Sequence, residues 1–330
     1  MDKVKWGILG CAGIVRRRFM PGIAKAKRAE VVAVASRDQA KADSFAAEYG
    51  IAAAYAGYER LLDDPRVEAV YIPLPNHMHA EWIIRAAQKG KHVLCEKPLA
   101  TSEAEAGRAV EACKSHGVKL MEGFMYRFHP RTLKAKQLMD SGRLGEVKLL
   151  RAESNHVIHD TNNIRLLPGG GALMDVGCYC VNAARYFYGS DPLAVYGRAR
   201  VDPKLGVDMT FSGLLEFPGD RIALFDCSFE LSYQQGYELI GDAGTLKAER
   251  GFVPNDAARS LKLATATGEA TRVRVRGADQ FALEIDHFSG CIRSGGSPML
   301  DSEKEAIRNM RTMDALKLSA ETGERIEISD

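Results

Sequence analysis

The 330-residue sequence contains no apolar run that approaches the ~20 residues needed to cross a bilayer. Its formal net charge is only +2, and the one tight basic cluster is Arg16-Arg17-Arg18. Neither feature favours a membrane surface or a nucleic acid as a partner. The first residues also lack the apolar core of a signal peptide, so we expect a cytoplasmic protein.

Paired cysteines are missing as well. The seven cysteines, at positions 11, 95, 113, 178, 180, 227 and 291, form no Cys-x-x-Cys motif. Cys178 and Cys180 have no further Cys or His at the spacing of a zinc site. We therefore expect reduced cysteines with mostly structural roles, and no bound metal.

The first part of the chain alternates short apolar stretches with helical patterns, and the length of the chain favours two domains. The predicted strands are Lys5–Leu9, Glu30–Ser36, Val67–Ile72, a short stretch that ends before Lys97, and Val118–Met121. Strands that alternate with helices imply right-handed crossovers and a parallel sheet. We predict a doubly wound nucleotide-binding domain over residues 1–121.

After Glu122 the predicted strands and helices no longer alternate regularly. The predicted elements are a helix at about Pro130–Ser141, a strand at Val147–Asn155, a helix from the glycine triplet Gly169–Gly171 to about Tyr188, several strands between Leu193 and Val275, and helices at about Gln280–Ser294 and Ser302–Thr322. Strands with turn signals and few helices between them indicate a mostly antiparallel sheet. The fold class is therefore α/β, followed by an α+β domain over residues 122–330.

A glycine-rich turn, Gly10-Cys11-Ala12-Gly13-Ile14, lies between the first predicted strand and the first helix. Such a turn places backbone N–H groups and a helix N-terminus at a pyrophosphate. The motif departs from G-x-G-x-x-G at Ala12 and Val15, so a merely tight turn is the alternative. Its place in a βαβ unit favours the dinucleotide site.

The second strand ends at Ser36-Arg37, where a site that prefers NAD would carry an acidic residue. A hydroxyl beside a guanidinium suits the 2′-phosphate of NADP. Asp38 lies one residue later and is better placed as a helix N-cap. The sequence thus predicts NADP(H), with NAD(H) less favoured, and a merely solvated Arg37 is the alternative.

Glu96-Lys97-Pro98 follows a buried strand, and Pro98 removes a backbone donor and biases Lys97 away from helix. Ligands bind beyond the carboxyl ends of strands in open parallel sheets, so we expect Lys97 beside the cofactor. Asn76 and His77 end the preceding strand and are expected under the nicotinamide ribose. An incidental helix start is the alternative for them.

The glycine triplet precedes a helix on which Asp175 and Tyr179 are four residues apart and share one face. Three glycines allow the close approach of a ligand or of the backbone near the nicotinamide. The alternative is that Asp175 satisfies early helix N–H groups and that Tyr179 is half-buried packing.

Together these stretches resemble the Gfo/Idh/MocA oxidoreductase family over nearly the full length. The resemblance is carried by Gly10–Gly13, Leu74-Pro75-Asn76-His77-Met78-His79, Glu96-Lys97-Pro98, Gly123–Pro130 and Gly169–Tyr179. It implies a Rossmann domain followed by an open-sheet domain. Tyr179 stands where inositol-dehydrogenase-like members carry His, so the chain is most similar to glucose–fructose oxidoreductase, aldose dehydrogenases and dimeric dihydrodiol dehydrogenase.

The resemblance also implies the site residues. The catalytic set is Lys97, Asp175 and Tyr179. The cofactor-binding residues are Gly10, Cys11, Ala12, Gly13, Ile14, Ser36, Arg37, Leu74, Pro75, Asn76, His79, Glu96, Lys97 and Arg127. The substrate contacts are Tyr126, Asn155, His156, Arg165, Asp175 and Tyr179. A structural role is the alternative for each substrate contact, and bracing Glu96 is the rival role of Arg127.

The expected reaction is hydride transfer between nicotinamide and a hydroxyl or keto carbon of a carbohydrate, with Tyr179 exchanging the hydroxyl proton. A phenol titrates near ~10, so an adjacent Lys97 ammonium is needed to favour the phenolate, and either residue could be the formal acid/base. The alternatives are a nucleotide-sugar 3-ketoreductase, an NAD-dependent glycosidase and a non-catalytic NADP-binding sensor. An open sheet rarely keeps a large apolar face in water, so we also expect a homodimer or homotetramer.

Overall fold

The computed structural model describes residues 2–167, 169–254, 256–297 and 302–329. Its backbone divides into two compact units. The first comprises the residues up to Met125 together with Asp279–Ile307, and the second comprises Tyr126–Ala278 and the residues from Arg308 onwards. The structure therefore groups residues 279–307 with the first unit, whereas the sequence analysis placed them in the second domain, 122–330.

The first unit contains a six-stranded parallel sheet. Its strands are β1 (Val4–Leu9), β2 (Ala29–Ser36), β3 (Ala53–Ala56), β4 (Ala69–Ile72), β5 (His92–Glu96) and β6 (Leu120–Gly123). They are ordered β3-β2-β1-β4-β5-β6, which confirms the predicted doubly wound sheet. β3 escaped prediction because its sequence, Ala-Ala-Tyr-Ala, has no β-branched residue and is only half-buried.

The helices predicted at about 130–141, 280–294 and 302–322 begin and end within one residue of those bounds. In chain order the α-helices are α1 (Met20–Lys25), α2 (Gln39–Tyr49), α3 (Tyr58–Leu62), α4 (Asn76–Gln88), α5 (Glu103–Ser115), α6 (Pro130–Asp140), α7 (Cys178–Tyr188), α8 (Gln280–Ser294) and α9 (Ser302–Thr322). Asp38 caps α2 as predicted, because its Oδ1 accepts a hydrogen bond from the Lys41 amide at 2.9 Å. Among the described residues, no helix combines the length and the apolar character needed to cross a bilayer.

Helix α8 joins the first unit through close packing against β1 and α1. The Trp6 indole N–H donates to the Ser289 hydroxyl at 3.2 Å, and its ring lies 5.8 Å from that of Phe288. Gly22 allows this approach, since a Cβ there would lie 2.7 Å from the Cβ of Phe281. The sequence did not predict this packing, because a local pattern carries no information about a partner 283 residues away, such as Ser289 for Trp6.

The second unit contains a nine-stranded sheet. Its strands are β7 (Val147–Asn155), β8 (Ala194–Val201), β9 (Asp208–Phe217), β10 (Arg221–Ser228), β11 (Gln234–Gly241), β12 (Gly244–Glu249), β13 (Arg259–Thr265), β14 (Ala270–Val275) and β15 (Ile326–Glu327). Their order is β14-β13-β12-β11-β7-β10-β9-β8-β15, and only β7 and β10 pair in parallel. This confirms the predicted, mostly antiparallel sheet.

The helix predicted after the glycine triplet is not a single α-helix. A π-helical turn, Leu173–Gly177, comes first and leads directly into α7. A second π-helical turn, Val15–Phe19, follows the glycine-rich turn of the first unit. Single π-helical turns are rare and occur often at functional sites. Asp175 and Tyr179 are therefore carried by two different helical geometries, which the four-residue spacing did not predict.

Candidate active site

Gly10 sits at the end of β1 with a φ of +108°, in the region that favours glycine. Its amide donates to the Ala35 carbonyl at 2.8 Å, which ties the turn to the end of β2. A Cβ at Gly10 would also lie 3.3 Å from the Leu74 side chain. Beyond it, Ala12, Gly13 and Ile14 are partly or fully exposed, so this turn fits a dinucleotide pyrophosphate.

At the end of β2, Ser36 is buried and Arg37 is exposed. Burial raises the pKa of the Tyr58 phenol, and the nearby Arg37 guanidinium opposes that rise. The Tyr58 hydroxyl in turn lies 3.8 Å from where a Gly10 Cβ would be, so Arg37 is near the glycine-rich turn. The Asp38 carboxylate accepts a hydrogen bond from a helix amide, and Arg37 is an exposed cation whose guanidinium would suit a 2′-phosphate.

Lys97 follows the last residue of β5, and its side chain is half-buried. The residue before it, Glu96, accepts a hydrogen bond from the Tyr71 hydroxyl at 2.5 Å in the interior. After it, the Leu99 amide donates to Glu122 Oε1 at 2.8 Å, also in the interior. Buried carboxylates therefore anchor both sides of Lys97: the Glu96 side chain before it, and the Leu99 amide, through Glu122, after it. The sequence singled out Glu96, but it did not reveal the roles of Tyr71 and Glu122.

His79 binds the same turn from the side of α4. Its Nδ1 lies 2.8 Å from the Pro98 carbonyl oxygen and its Nε2 lies 2.7 Å from that of Leu74, and the ring is only 1% exposed. Burial lowers the pKa of His79, and the two carbonyl contacts oppose that shift. The ring thus links the segments that follow β4 and β5, which gives His79 a supporting role, and its predicted cofactor contact stays a prediction. Pro75 and Asn76, at the start of α4, remain partly exposed.

A third buried carboxyl group, Glu284 of α8, lies near this cluster. It is 2% exposed, and within the described part of the chain its Oε1 has no hydrogen-bond partner. Burial and the nearby Glu96 carboxylate both raise the pKa of Glu284 well above its usual value. Both effects favour the protonated form of Glu284 over its charged form. Sequence reasoning had no signal for it, because only the fold brings Glu284 near Glu96, which lies far away in the sequence.

In the second unit, the π-helical turn presents Asp175 to Arg165. The Arg165 Nε lies 2.6 Å from Asp175 Oδ2, in an ion pair whose carboxylate is 14% exposed and whose guanidinium is 39% exposed. The structure therefore brings these two predicted substrate contacts together. The carboxylate is held in one orientation by an arginine that solvent can still reach.

Tyr179 lies in an aromatic cluster. Its ring stacks on Phe252 with centroids 5.3 Å apart, and it meets Tyr126 edge-on at 6.0 Å. Tyr126 is fully buried, and its hydroxyl donates to Asn182 Oδ1 at 2.7 Å. Tyr126 therefore supports the Tyr179 ring, and its predicted substrate contact stays a prediction. Phe252 was missed, since it lies in a loop far from Tyr179 in sequence.

The remaining predicted contacts have identifiable neighbours within this unit. Asn155 is 2% exposed and its Nδ2 donates to Asp226 Oδ2 at 2.6 Å, while its Oδ1 is buried without a hydrogen-bond partner in the described residues. The His156 ring packs edge-on against Phe229 at 5.2 Å. The Arg127 guanidinium lies 4.6 Å from the centre of the Tyr186 ring. In the described ranges, no group of three His, Cys, Asp or Glu side chains could hold a metal ion.

The chain is similar to known proteins both in sequence and in fold. One family model, an oxidoreductase family with an NAD-binding Rossmann fold, matches residues 4–124, and a GFO/IDH/MocA C-terminal domain model matches residues 132–247. D-xylose 1-dehydrogenase (NADP(+)) 2 from Haloferax volcanii is 41% identical over 98% of this chain and 99% of its own length. A solved 3-ketoreductase from Actinomadura kijaniata, in complex with NADP and TDP-benzene, has a TM-score of 0.92 at 32% identity, covering 96% of this chain and 98% of that one. The aldose-aldose oxidoreductase from Caulobacter crescentus has a TM-score of 0.92 at 29% identity, covering 99% and 100%.

Replacing Tyr71 with Phe tests the buried support of the Lys97 turn. The change removes one hydroxyl and leaves the Glu96 carboxylate short of a donor, so we expect the free energy of unfolding in urea to fall by about 1–3 kcal/mol. Tyr55→Phe is the matched control, since its hydroxyl also donates to a carboxylate, Asp64, which the Arg66 guanidinium continues to bind. A loss in Tyr71→Phe no larger than that in Tyr55→Phe would contradict this role.

Proposed function

The chain belongs to the Gfo/Idh/MocA oxidoreductase family, and we propose that it transfers a hydride between NADP(H) and a hydroxyl or keto carbon of a sugar or sugar derivative. The observation that carries the proposal is the Tyr179 phenol, held between aromatic rings at the start of α7, directly after the turn that bears Asp175. A positioned phenol beside a carboxylate suits proton exchange with a carbohydrate hydroxyl.

The cofactor is NADP(H), and the first unit has residues that fit it. The turn at Gly10 and Gly13 suits the pyrophosphate, and Ser36 and Arg37 suit the 2′-phosphate. When bound, the cofactor supplies or accepts the hydride. The NADP-dependent xylose dehydrogenase, 41% identical over 98% of the chain, supports this assignment.

Three side chains carry the proposed chemistry. Tyr179 exchanges a proton with the reacting oxygen of the substrate. Lys97 donates a hydrogen bond to that oxygen and stabilises negative charge as it develops. Asp175, oriented by Arg165, accepts a hydrogen bond from a neighbouring hydroxyl and so orients the sugar. The rings around Tyr179 keep water from most of the phenol and hold its direction.

Tyr179→Phe tests the proton exchange directly. The change removes only the hydroxyl, so we expect turnover to fall by roughly 100-fold or more, because a positioned acid/base contributes that much. NADPH affinity should stay near the wild-type value, since the first unit is unchanged. Tyr186→Phe, on the same helix, is the matched control and should keep its turnover. Full activity in Tyr179→Phe contradicts the assignment.

Arg37→Ala tests the cofactor preference. Loss of the guanidinium should weaken NADPH binding by roughly 10-fold or more, because hydrogen bonds to charged groups contribute about 1.5–3 kcal/mol. NADH has no 2′-phosphate, so its affinity should not change. Fluorescence titration measures both, with the exposed Arg60→Ala variant as the control. Equal losses for the two cofactors, or a wild-type preference for NADH, would contradict the 2′-phosphate site and favour the NAD-dependent glycosidase alternative.

A nucleotide-sugar 3-ketoreductase is the second candidate. It is favoured by the similarity to the 3-ketoreductase structure with NADP and TDP-benzene, which covers 96% of this chain. The two candidates differ in substrate and in direction. NADP reduction with free aldoses supports the dehydrogenase, whereas NADPH oxidation that requires a dTDP-linked keto-sugar supports the ketoreductase.

We also propose that the open face of the nine-stranded sheet forms a homodimer or homotetramer interface. This face bears the exposed apolar side chains Tyr196, Ile222 and Leu224, and Tyr196 and Leu224 line a depression of about 590 Å³. Exposed apolar surface of this kind is typical of contacts between subunits. The seven cysteines are all free and buried, which supports a cytoplasmic, reducing location.

Leu224→Arg tests the interface. Leu224 pairs with Arg151 on β7, so the change sets two like charges side by side on the proposed contact surface. We expect sedimentation velocity to show a smaller species than wild type. Leu133→Arg, at an exposed apolar position on α6, is the control and should keep the wild-type assembly. An unchanged assembly in Leu224→Arg would contradict this interface.

A further inference from the structure

The π-helical turn that carries Asp175 takes its cap from a distant strand. Ala172 is the residue that precedes the turn, and it provides no side-chain cap. The first amide of the turn, that of Leu173, instead donates to Asp208 Oδ2 at 2.7 Å. Asp208 is the first residue of β9 and lies 35 positions later in the chain. The proposed chemistry gives this carboxylate no role.

The glycine triplet makes room for this carboxylate. Gly171 has a φ of +105°, and a Cβ there would overlap the Asp208 carboxylate. A Cβ on Gly170 would overlap the Arg165 carbonyl, which accepts a hydrogen bond from the Gly171 amide at 2.9 Å. The space that the sequence was expected to leave for a ligand is therefore filled, at these two positions, by the protein itself.

The other end of the turn is equally confined. A Cβ on Gly177 would lie 2.8 Å from the Cys227 sulfur on β10. The turn is thus held at its start by a side chain of β9 and at its end by close packing on β10. A shift of the turn along its axis would break one contact or the other, and it would carry Asp175 with it.

Burial disfavours the charged form of Asp208. Burial raises its pKa to about 6, and the Leu173 and Ala172 amides and the Lys317 ammonium of α9 oppose that rise. The neighbouring Cys227 thiol has a pKa well above its usual value, so it stays neutral. Because the folded-state pKa of Asp208 exceeds its unfolded value, its contribution to stability is lost as pH rises through about 6.

We propose that Asp208 is a positioning residue: its carboxylate, seated on the Leu173 amide in the space left by Gly171, fixes the π-helical turn and with it the directions of Asp175 and Tyr179. This inference rests on the proposed function, since it acts through the two residues assigned there. An amide cannot fully replace the carboxylate, because its NH₂ group would face backbone N–H donors.

Asp208→Asn tests the proposal at pH 8. Small misplacements of reacting groups cost up to about 100-fold, so we expect kcat to fall roughly 10-fold or more. NADPH affinity should stay unchanged, because the residues that fit the cofactor are untouched. Asp202→Asn is the matched control, because Asp202 Oδ1 accepts from the Lys204 and Leu205 amides at 2.8 and 3.1 Å in the neighbouring turn. It should leave kcat unchanged. A wild-type kcat in Asp208→Asn, or an equal loss in Asp202→Asn, overturns the proposal.

The pH profile gives a second readout that a purely structural role would not move. In wild type, kcat should decline as the pH falls through about 6, because the carboxyl group protonates and loses its hold on the amides. Asp208→Asn should lack this decline, and a decline that persists in the variant overturns the proposal. If the variant does not fold, the pH profile of the wild type still tests the proposal. A wild-type kcat that does not change between pH 8 and pH 5 overturns the proposal.

The failure of this inference can be told apart from the failure of the proposed function. An inactive Tyr179→Phe enzyme beside a fully active Asp208→Asn enzyme contradicts the positioning role alone. Full turnover in Tyr179→Phe contradicts both, because Asp208 is argued to act through that residue.

Discussion

Backbone amides at the ends of strands and helices need partners when they are buried, and this constraint organises one candidate segment in each unit. In the first unit, the Leu99 amide just after Lys97 is satisfied by the Glu122 carboxylate. In the second, the Leu173 amide is satisfied by Asp208. In each case a carboxylate from a neighbouring strand fixes a short irregular segment that bears a proposed catalytic side chain. For Asp208, whose pKa is about 6, the hydrogen bond is charge-assisted at neutral pH and therefore stronger than a neutral one.

Glycines make these close approaches geometrically feasible, but they serve different neighbours. Gly10 allows the turn after β1 to reverse while its amide stays bonded to β2. Gly171 allows a protein carboxylate to reach a helix end, and Gly177 allows the same helix to lie on a cysteine of β10. A glycine-rich stretch therefore does not by itself indicate a ligand. The group that occupies the space of the missing Cβ decides its meaning.

Several ionisable groups near the site are kept where folding disfavours their charge. Burial raises the pKa of Glu284 well above its usual value and that of Asp208 to about 6, and it lowers the pKa of His79. Such placements reduce stability relative to apolar residues of similar size. These ionisable groups lie around Lys97 and around the turn that bears Asp175. This pattern is expected where a fixed arrangement of reacting groups is kept at a cost in stability.

Local patterns in the sequence determined the parallel sheet, the place of Lys97 after β5 and the cap at Asp38. They also determined that a hydroxyl and a guanidinium, Ser36-Arg37, stand at the end of β2. Each of these depends on residues that are close in the chain, through hydrophobic period, turn chemistry or capping. The tertiary structure alone decided the membership of α8 in the first unit, the π-helical turn, and the partners Glu122, Phe252 and Asp208. Those features depend on which distant side chain meets a given amide or ring, and a one-dimensional period carries no information about such long-range contacts.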